Sequence, residues 1–308
     1  MRVTVRAGRR LRALAALSAI TLVAGCAAVS TTSSPSGRSG GPAAASSTSA
    51  FGPGTGGSAA LPRPDHTVVV VMENRGYPTV IDRPDAAWTN AQQAAVMTDW
   101  HGIAHPSQPN YLALFSGSTQ GVTDNGCPVA AVGPNLAQQL SDAHLTFTGY
   151  SEALPGVGAQ DCLVGRYARK HNPWVDFATL PAAVNQPFSA FPKDLAELPS
   201  VAFVVPDLCN DTHDCPVSQG DAWLRDNLSR YVTWAQTHNS LLVITWDEDD
   251  SQTARNRIPT LFIGPMVRPG RYSGLGNHYT MLRTIEALHG LPGIGEAGRR
   301  EPVTGIWR

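Results

Sequence analysis

The segment Val68-Val-Val-Val-Met-Glu-Asn74 constrains the fold of this chain more than any other. Five consecutive large apolar residues leave no polar face, so a strand made from them must be covered on both sides. Valine is stiff at its branched β-carbon and favours extended backbone over helix. The run then stops abruptly at a carboxylate and an amide. Such a strand belongs inside a sheet layered between helices, and the polar pair at its exit falls where open α/β sheets hold their ligands.

Further along, short apolar stretches at Thr67–Met72, Leu145–Tyr150, Val201–Val205, Leu241–Trp246 and Thr260–Ile263 predict strands. Between them, Ala86–Met97, Asn110–Phe115, Leu136–Ala143, Ala222–Thr237 and Tyr279–His289 predict helices. This alternation implies an α/β fold with a mostly parallel central sheet and helices on both faces. Residues 156–193 are rich in proline and aromatics without a clear period. They are expected to form a small, loop-rich cap over the site.

The first 64 residues do not read as globular. Arg9, Arg10 and Arg12 precede an apolar stretch from Ala13 to Ala24, which runs into Gly25-Cys26. A positive flank, a short apolar core and small residues describe an export signal, here residues 1–25. The core falls short of the roughly 20 residues that a membrane-spanning helix needs. Cys26 follows Val23-Ala24-Gly25 in the manner of a lipobox, which implies a lipid-anchored surface protein; an ordinary signal cut nearby would instead release a secreted one. The remainder of 26–64 is dominated by Ser, Thr, Gly, Ala and Pro, too poor in apolar surface to offset chain entropy, and predicts a disordered tether. Residues 65–308 then make one catalytic domain.

Removing the signal deletes five arginines and no acids, leaving 18 basic against 24 acidic residues. A nucleic-acid partner is excluded by that balance, because such proteins carry a basic surplus. Membrane contact is expected only through the N-terminal lipid, and the chain is expected to be a monomer. Cys127, Cys162, Cys209 and Cys215 form an even set in an exported chain, so disulfides are expected. Of the three possible pairings, Cys127–Cys162 with Cys209–Cys215 is favoured, because the second closes a small loop.

Polar clusters stand where these elements begin and end. The first strand is followed by Glu73 and Asn74, the third by Asn210-Asp-Thr-His-Asp214, and the fourth by Asp247-Glu-Asp-Asp250. His278 immediately precedes the last helix, and Ser107-Gln-Pro-Asn110 opens an earlier one. Parallel strands bring their exits to one edge, so the clusters should converge. Carboxylates, an amide oxygen and imidazoles suit a divalent cation, and a serine hydroxyl at a helix N-terminus suits a nucleophile facing a phosphate.

Six motifs carry a resemblance: Met72-Glu-Asn-Arg75, His105-Pro-Ser-Gln-Pro-Asn-Tyr-Leu-Ala-Leu-Phe-Ser-Gly117, Lys170-His-Asn-Pro-Trp174, Asn210-Asp-Thr-His-Asp214, Trp246-Asp-Glu-Asp-Asp250 and His278-Tyr279. In order and spacing, from about Thr67 to Trp307, the chain resembles the bacterial phosphoesterases of the alkaline-phosphatase superfamily, a group that includes acid phosphatases and phospholipases C. The resemblance implies a phosphomonoester hydrolase, with phosphoinositide head groups among its substrates. It casts Ser107 as the nucleophile, Asn110 as a holder of a phosphate oxygen, and Glu73, Asn74, Asp247 and Glu248 as the surroundings of a metal. It places Asp211, His213 and His278 at a second metal site or a histidine-lined phosphate pocket, brings Lys170 and His171 in from the cap to the substrate, and has His105 assist the leaving group. Asp207 is a further candidate ligand.

Two-zinc members of the superfamily have Asp where this chain has Glu73, and Asp-His where it has Asp247-Glu248. The greater share of oxygen donors favours Ca²⁺, Mg²⁺ or Mn²⁺ over Zn²⁺. Two other functions fit the same residues: a phospholipase C-type phosphodiesterase on this scaffold, and a surface lipoprotein that binds phosphoryl ligands without cleaving them.

Overall fold

The structure is a computed structural model that describes residues 48–49, 61–251 and 255–308. The export signal and Cys26 lie outside the described residues. Residues 45–308 form one compact unit. Its sheet runs, edge to edge among the described residues, Thr48–Ser49, Gly270–Tyr272, Ala94–Met97, Thr260–Ile263, Ser240–Trp246, His66–Met72, Val201–Val205, Phe147–Ser151 and Asn185–Pro187. Every neighbouring pair is parallel except the two that involve Thr260–Ile263, which runs antiparallel to both its partners.

His66–Met72 lies inside the sheet, between Ser240–Trp246 and Val201–Val205. Val68 to Met72 are at most 1% exposed, as a strand apolar on both faces requires. Two separate helix pairs supply the cover. Gln108–Ser116 packs with His278–Leu288, and Ala87–Asn90 packs with Val217–Ala235.

One predicted helix is corrected. Ala86–Met97 is helical only over Ala87–Asn90 and returns to the sheet as the strand Ala94–Met97. Its alanines favour helix locally, but Asp221 fixes only where a short helix starts and strand pairing then takes over the rest. The Asp221 carboxylate accepts the backbone N–H groups of Trp88 and Thr89, at 2.8 Å each. Ala94–Met97 then fills a gap between Thr260–Ile263 and Gly270–Tyr272. Within the tether, expected to be without structure, Thr48–Ser49 pairs with Arg271 and Tyr272, where the edge would otherwise leave backbone groups without strand partners.

The cap is keyed into the core through one aromatic side chain. Trp174, from the predicted cap region, is 1% exposed and lies against Gly149 of the strand Phe147–Ser151; a β-carbon at Gly149 would overlap the indole ring. The indole N–H donates to Asn185 Oδ1 at 2.8 Å, and the rings of Phe115, Phe147 and Phe203 surround it. Both disulfides have the favoured pairing, Cys127–Cys162 and Cys209–Cys215.

The helix that carries Ser107 is held at its far end. Gly117 caps it in the left-handed region, at φ +67°, and its carbonyl accepts from Glu296 N. That segment is in turn tied to Glu286, whose Oε1 accepts from Ile294 N at 3.0 Å. Burial pushes Glu286 up to about 7, against the opposing pull of the Ile294 N–H and Arg283. A carboxyl that titrates higher in the folded state than in the unfolded chain costs stability as pH rises through this window. Glu286→Gln keeps the bond to Ile294 and should therefore raise the melting temperature near pH 8, with no gain below about pH 4.5. Thermal melts at the two pH values check this, and a gain at both would show that the charge is not the cause.

Candidate active site

Three adjacent parallel strands deliver the acidic residues to one edge. The ladder of His66–Met72 and Ser240–Trp246 ends in register at Met72 and Trp246 and continues one bond further, from Asp247 N to Met72 O at 3.0 Å. On the other side, Glu73 N donates to Asp211 O at 2.8 Å. Glu73, Asp211 and Asp247 thus stand side by side, each 0% exposed. Glu248 follows at 4%.

Ser107 occupies the N-cap position of the Gln108–Ser116 helix without capping it. Its hydroxyl instead lies 3.0 Å from Glu73 Oε2 and 3.0 Å from Glu248 Oε1. A hydroxyl carries one proton and can donate to only one of these oxygens at a time. The other contact is favourable only if a carboxyl supplies the hydrogen. Burial, together with the charge on Glu73, pushes Glu248 up to about 7 against the pull of His105, which makes Glu248 the better donor. Burial also opposes ionisation of Glu73, yet His171 and Lys170 outweigh it and bring its pKa down to about 2. His171 Nε2 lies 2.8 Å from Glu73 Oε1, and His171 Nδ1 lies 3.5 Å from Asp211 Oδ2.

The rim is formed by imidazoles and a lysine. His105 contacts Glu248 Oε2 and stands 3.3 Å from Asp249 Oδ1, with a side chain 40% exposed. Lys170 Nζ is 3.2 Å from His213 Nε2, whose Nδ1 faces Asp214 Oδ1 at 2.6 Å.

Not every predicted residue presents its side chain to the site. Asn110 is fully buried, and its amide is committed to the preceding loop: Oδ1 accepts from Ile103 N and Ala104 N, and Nδ2 donates to the carbonyls of Ala104 and Pro106. This corrects the expectation that it holds a phosphate oxygen; it shapes the loop that presents His105 and Ser107. His278 is likewise buried, with Nε2 2.5 Å from the Asp247 carbonyl and a pKa pushed down by burial to about 4. It braces the strand end and does not line the rim. Asp207 Oδ1 accepts from Cys209 N and Asn210 N and so forms a turn. Asn74, at φ +52°, reaches the cluster through its backbone N–H, which donates to Asp247 Oδ1 at 3.1 Å.

Three supporting residues escaped the sequence reading. Tyr111 stacks on His171, with ring centroids 5.0 Å apart. Thr212 sits at φ +80°, a strained conformation for a β-branched residue, and its hydroxyl donates to Glu73 O at 2.6 Å. Asn256 clamps two loops, accepting from Asp249 N and donating to Ala104 O. Tyr111 and Thr212 lie inside motifs already singled out, but nothing in their identity signals these partners. Asn256 carries no signal at all.

As a donor set, the cluster fits a hard cation. Burial, and then the charge of Glu73, push Asp211 and Asp247 well above the usual carboxylate range, so the four acids cannot all ionise together without added positive charge. Asp247 Oδ2 is buried and has no hydrogen-bond partner. Among the described residues, no three carboxylate, imidazole or thiol groups already enclose a position for an ion.

Known proteins resemble this chain. Residues 82–292 match the Phosphoesterase family. The phosphatidylinositol-3-phosphatase of Mycobacterium tuberculosis is 49% identical over 255 residues, covering 81% of this chain and 85% of that protein. An acid phosphatase of Aspergillus fumigatus is 29% identical over 73% of this chain and 55% of its own length. Among solved structures, a protein in the alkaline phosphatase superfamily from Vibrio parahaemolyticus superposes with a TM-score of 0.53 at 12% identity, over 79% of this chain and 71% of that one. The lipoteichoic acid synthase LtaP of Listeria monocytogenes gives 0.52 at 12% identity, over 74% and 72%. The fold is that of the alkaline-phosphatase superfamily.

The bonding of Asn110 makes its role measurable. Asn110→Ala takes the side-chain partner from two part-buried N–H groups and from the Pro106 carbonyl, while Ala104 O keeps Asn256, and should cost about 2 kcal/mol in urea denaturation. Asn110→Asp keeps the accepting half and should fall between. Unchanged stability, with weakened phosphate binding, would restore the phosphate-holding role.

Proposed function

The chain belongs to the phosphoesterase family, and on that premise we propose that it is an acid phosphatase hydrolysing phosphomonoesters, phosphatidylinositol 3-phosphate among them. The observation that carries this reading is the Ser107 hydroxyl, which does not cap its helix and instead lies between Glu73 and Glu248, 3.0 Å from each. The helix dipole places partial positive charge at the same point, where a phosphoryl group would carry its negative charge.

In this mechanism Ser107 Oγ attacks phosphorus in line and passes its proton to the ionised Glu73. The Oγ–P bond forms as the bond to the leaving oxygen breaks, and a rim histidine, His105 or His213, gives that oxygen a proton. Water then attacks the phosphoserine, releasing inorganic phosphate and the serine hydroxyl. Lys170 and His171 balance phosphate charge from the cap side. Glu73, Asp211, Asp247 and Glu248 would hold a divalent ion, for which oxygen donors favour Ca²⁺, Mg²⁺ or Mn²⁺ over Zn²⁺. Such an ion would supply electrostatic stabilisation of the developing phosphoryl charge. The protein is exported, either anchored through a lipid on Cys26 or secreted.

Ser107→Ala should lose at least about 10³-fold in kcat on p-nitrophenyl phosphate with an unchanged melting temperature. Substantial residual turnover would remove Ser107 as nucleophile. For the wild-type protein, EDTA should abolish turnover, and one of Ca²⁺, Mg²⁺ or Mn²⁺ should restore it; activity indifferent to EDTA would argue against an exchangeable ion. If bis-p-nitrophenyl phosphate were hydrolysed faster than the monoester, the function would be that of a phosphodiesterase.

A further inference from the structure

The cap carries a feature that neither its folding nor the proposed chemistry uses. Of the five large apolar side chains exposed among the described residues, Val157, Leu163 and Val164 fall within the cap region 156–193. Leu163 and Val164 are adjacent and form one arm of a tight hairpin, Leu163–Val164 against Tyr167–Ala168. Successive strand residues point to opposite faces, so one of the two would be buried if either face of the ribbon were covered. They are instead 63% and 40% exposed, while Tyr167 and Ala168 across from them are buried. The returning arm is anchored, and the outgoing arm projects.

The projection is held rigidly. Gly165 takes φ +58° at the first central position of the two-residue turn, where glycine is favoured. Cys162, immediately before Leu163, is bonded to Cys127, and Arg169 N closes the base by donating to Cys162 O. The hairpin also adjoins the site. Arg166 O accepts from Leu208 N, in the segment that leads to Asp211 and His213, and Tyr167–Ala168 runs directly into Lys170 and His171. Arg166, at the turn, has a side chain 62% exposed, with its guanidinium 3.9 Å from Asp207 Oδ2. An aliphatic pair beside an arginine, on a braced loop next to the site, has the chemistry of a bilayer interface: carbon for the acyl boundary and a guanidinium for lipid phosphates.

Building on the lipid-phosphomonoester reading above, we propose that the Leu163–Val164 hairpin inserts into the membrane that holds the substrate and so presents a phosphoinositide head group to Ser107. The acidic balance of the folded domain means that apolar insertion, and not general charge attraction, makes the contact.

The test compares the full-length wild-type protein with Leu163→Ser/Val164→Ser on two forms of one substrate: water-soluble dibutanoyl phosphatidylinositol 3-phosphate, and the long-chain lipid in phosphatidylcholine vesicles. On vesicles the variant should lose on the order of tenfold in kcat/KM. On the soluble form it should match the wild type, and the wild-type vesicle rate should persist in high salt. Equal rates of both proteins on vesicles would overturn the hairpin proposal. If the wild type cleaved neither form while hydrolysing p-nitrophenyl phosphate, the lipid reading itself would fail. A variant slowed on the soluble form as well is misfolded or damaged at the site, so Leu163→Trp gives an independent readout: vesicles of brominated lipid should quench the added fluorescence relative to the parent protein, and no added quenching overturns the proposal.

Discussion

Two backbone hydrogen bonds hold the site together. Asp247 N to Met72 O carries one parallel ladder a step beyond its last apolar residues, and Glu73 N to Asp211 O ties in the turn that follows Val201–Val205. They set the Glu73 backbone between those of Asp211 and Asp247, with all three residues fully buried. A one-residue slip that drew Glu73 or Asp247 inward would bury an acid in place of Met72 or Trp246. The unbroken apolar run of Val68–Met72 guards against such a slip, since moving Glu73 inward would bury a charge in place of a hydrocarbon.

That precision has an electrostatic cost. Four buried acids are balanced by Lys170 and by imidazoles, and three of them, Asp211, Asp247 and Glu248, are pushed toward protonation. Sites that work on phosphate accept this frustration because a set of oxygens able to hold a cation is destabilised without one. Thr212 is part of the same compromise. Its strained backbone places a hydroxyl on the Glu73 carbonyl, and it also receives the Trp246 indole N–H, so three strand exits are tied together at one threonine.

Much of this was legible in the sequence. Runs such as Val68–Met72 and Leu241–Trp246 read as covered strands, and the acids at their exits, Glu73 and Asp247, then converge by topology. Ala86–Met97 misled because alanine-rich stretches prefer helix until a partner strand is present, and no partner is visible locally. Asn110 misled differently. The residue type and its place after Ser107 suit a phosphate ligand, but the use of its amide depends on where residues 103–106 pass, which is a property of the folded loop. His278 was found as a member of the site, and its role as a brace lay outside what identity and spacing convey.

The indole of Trp174, seated over Gly149 among three phenylalanines, determines what kind of enclosure the cap can be. A cap that swings must part from the sheet along a surface that re-forms cheaply. Here, lifting it would pull a buried tryptophan from the core and leave a void the size of its ring. The cap is therefore a fixed wall and not a lid. Admission to the site is a matter of the standing aperture among His105, Lys170 and His213, and discrimination between esters would change through the side chains of that rim more readily than through any hinge.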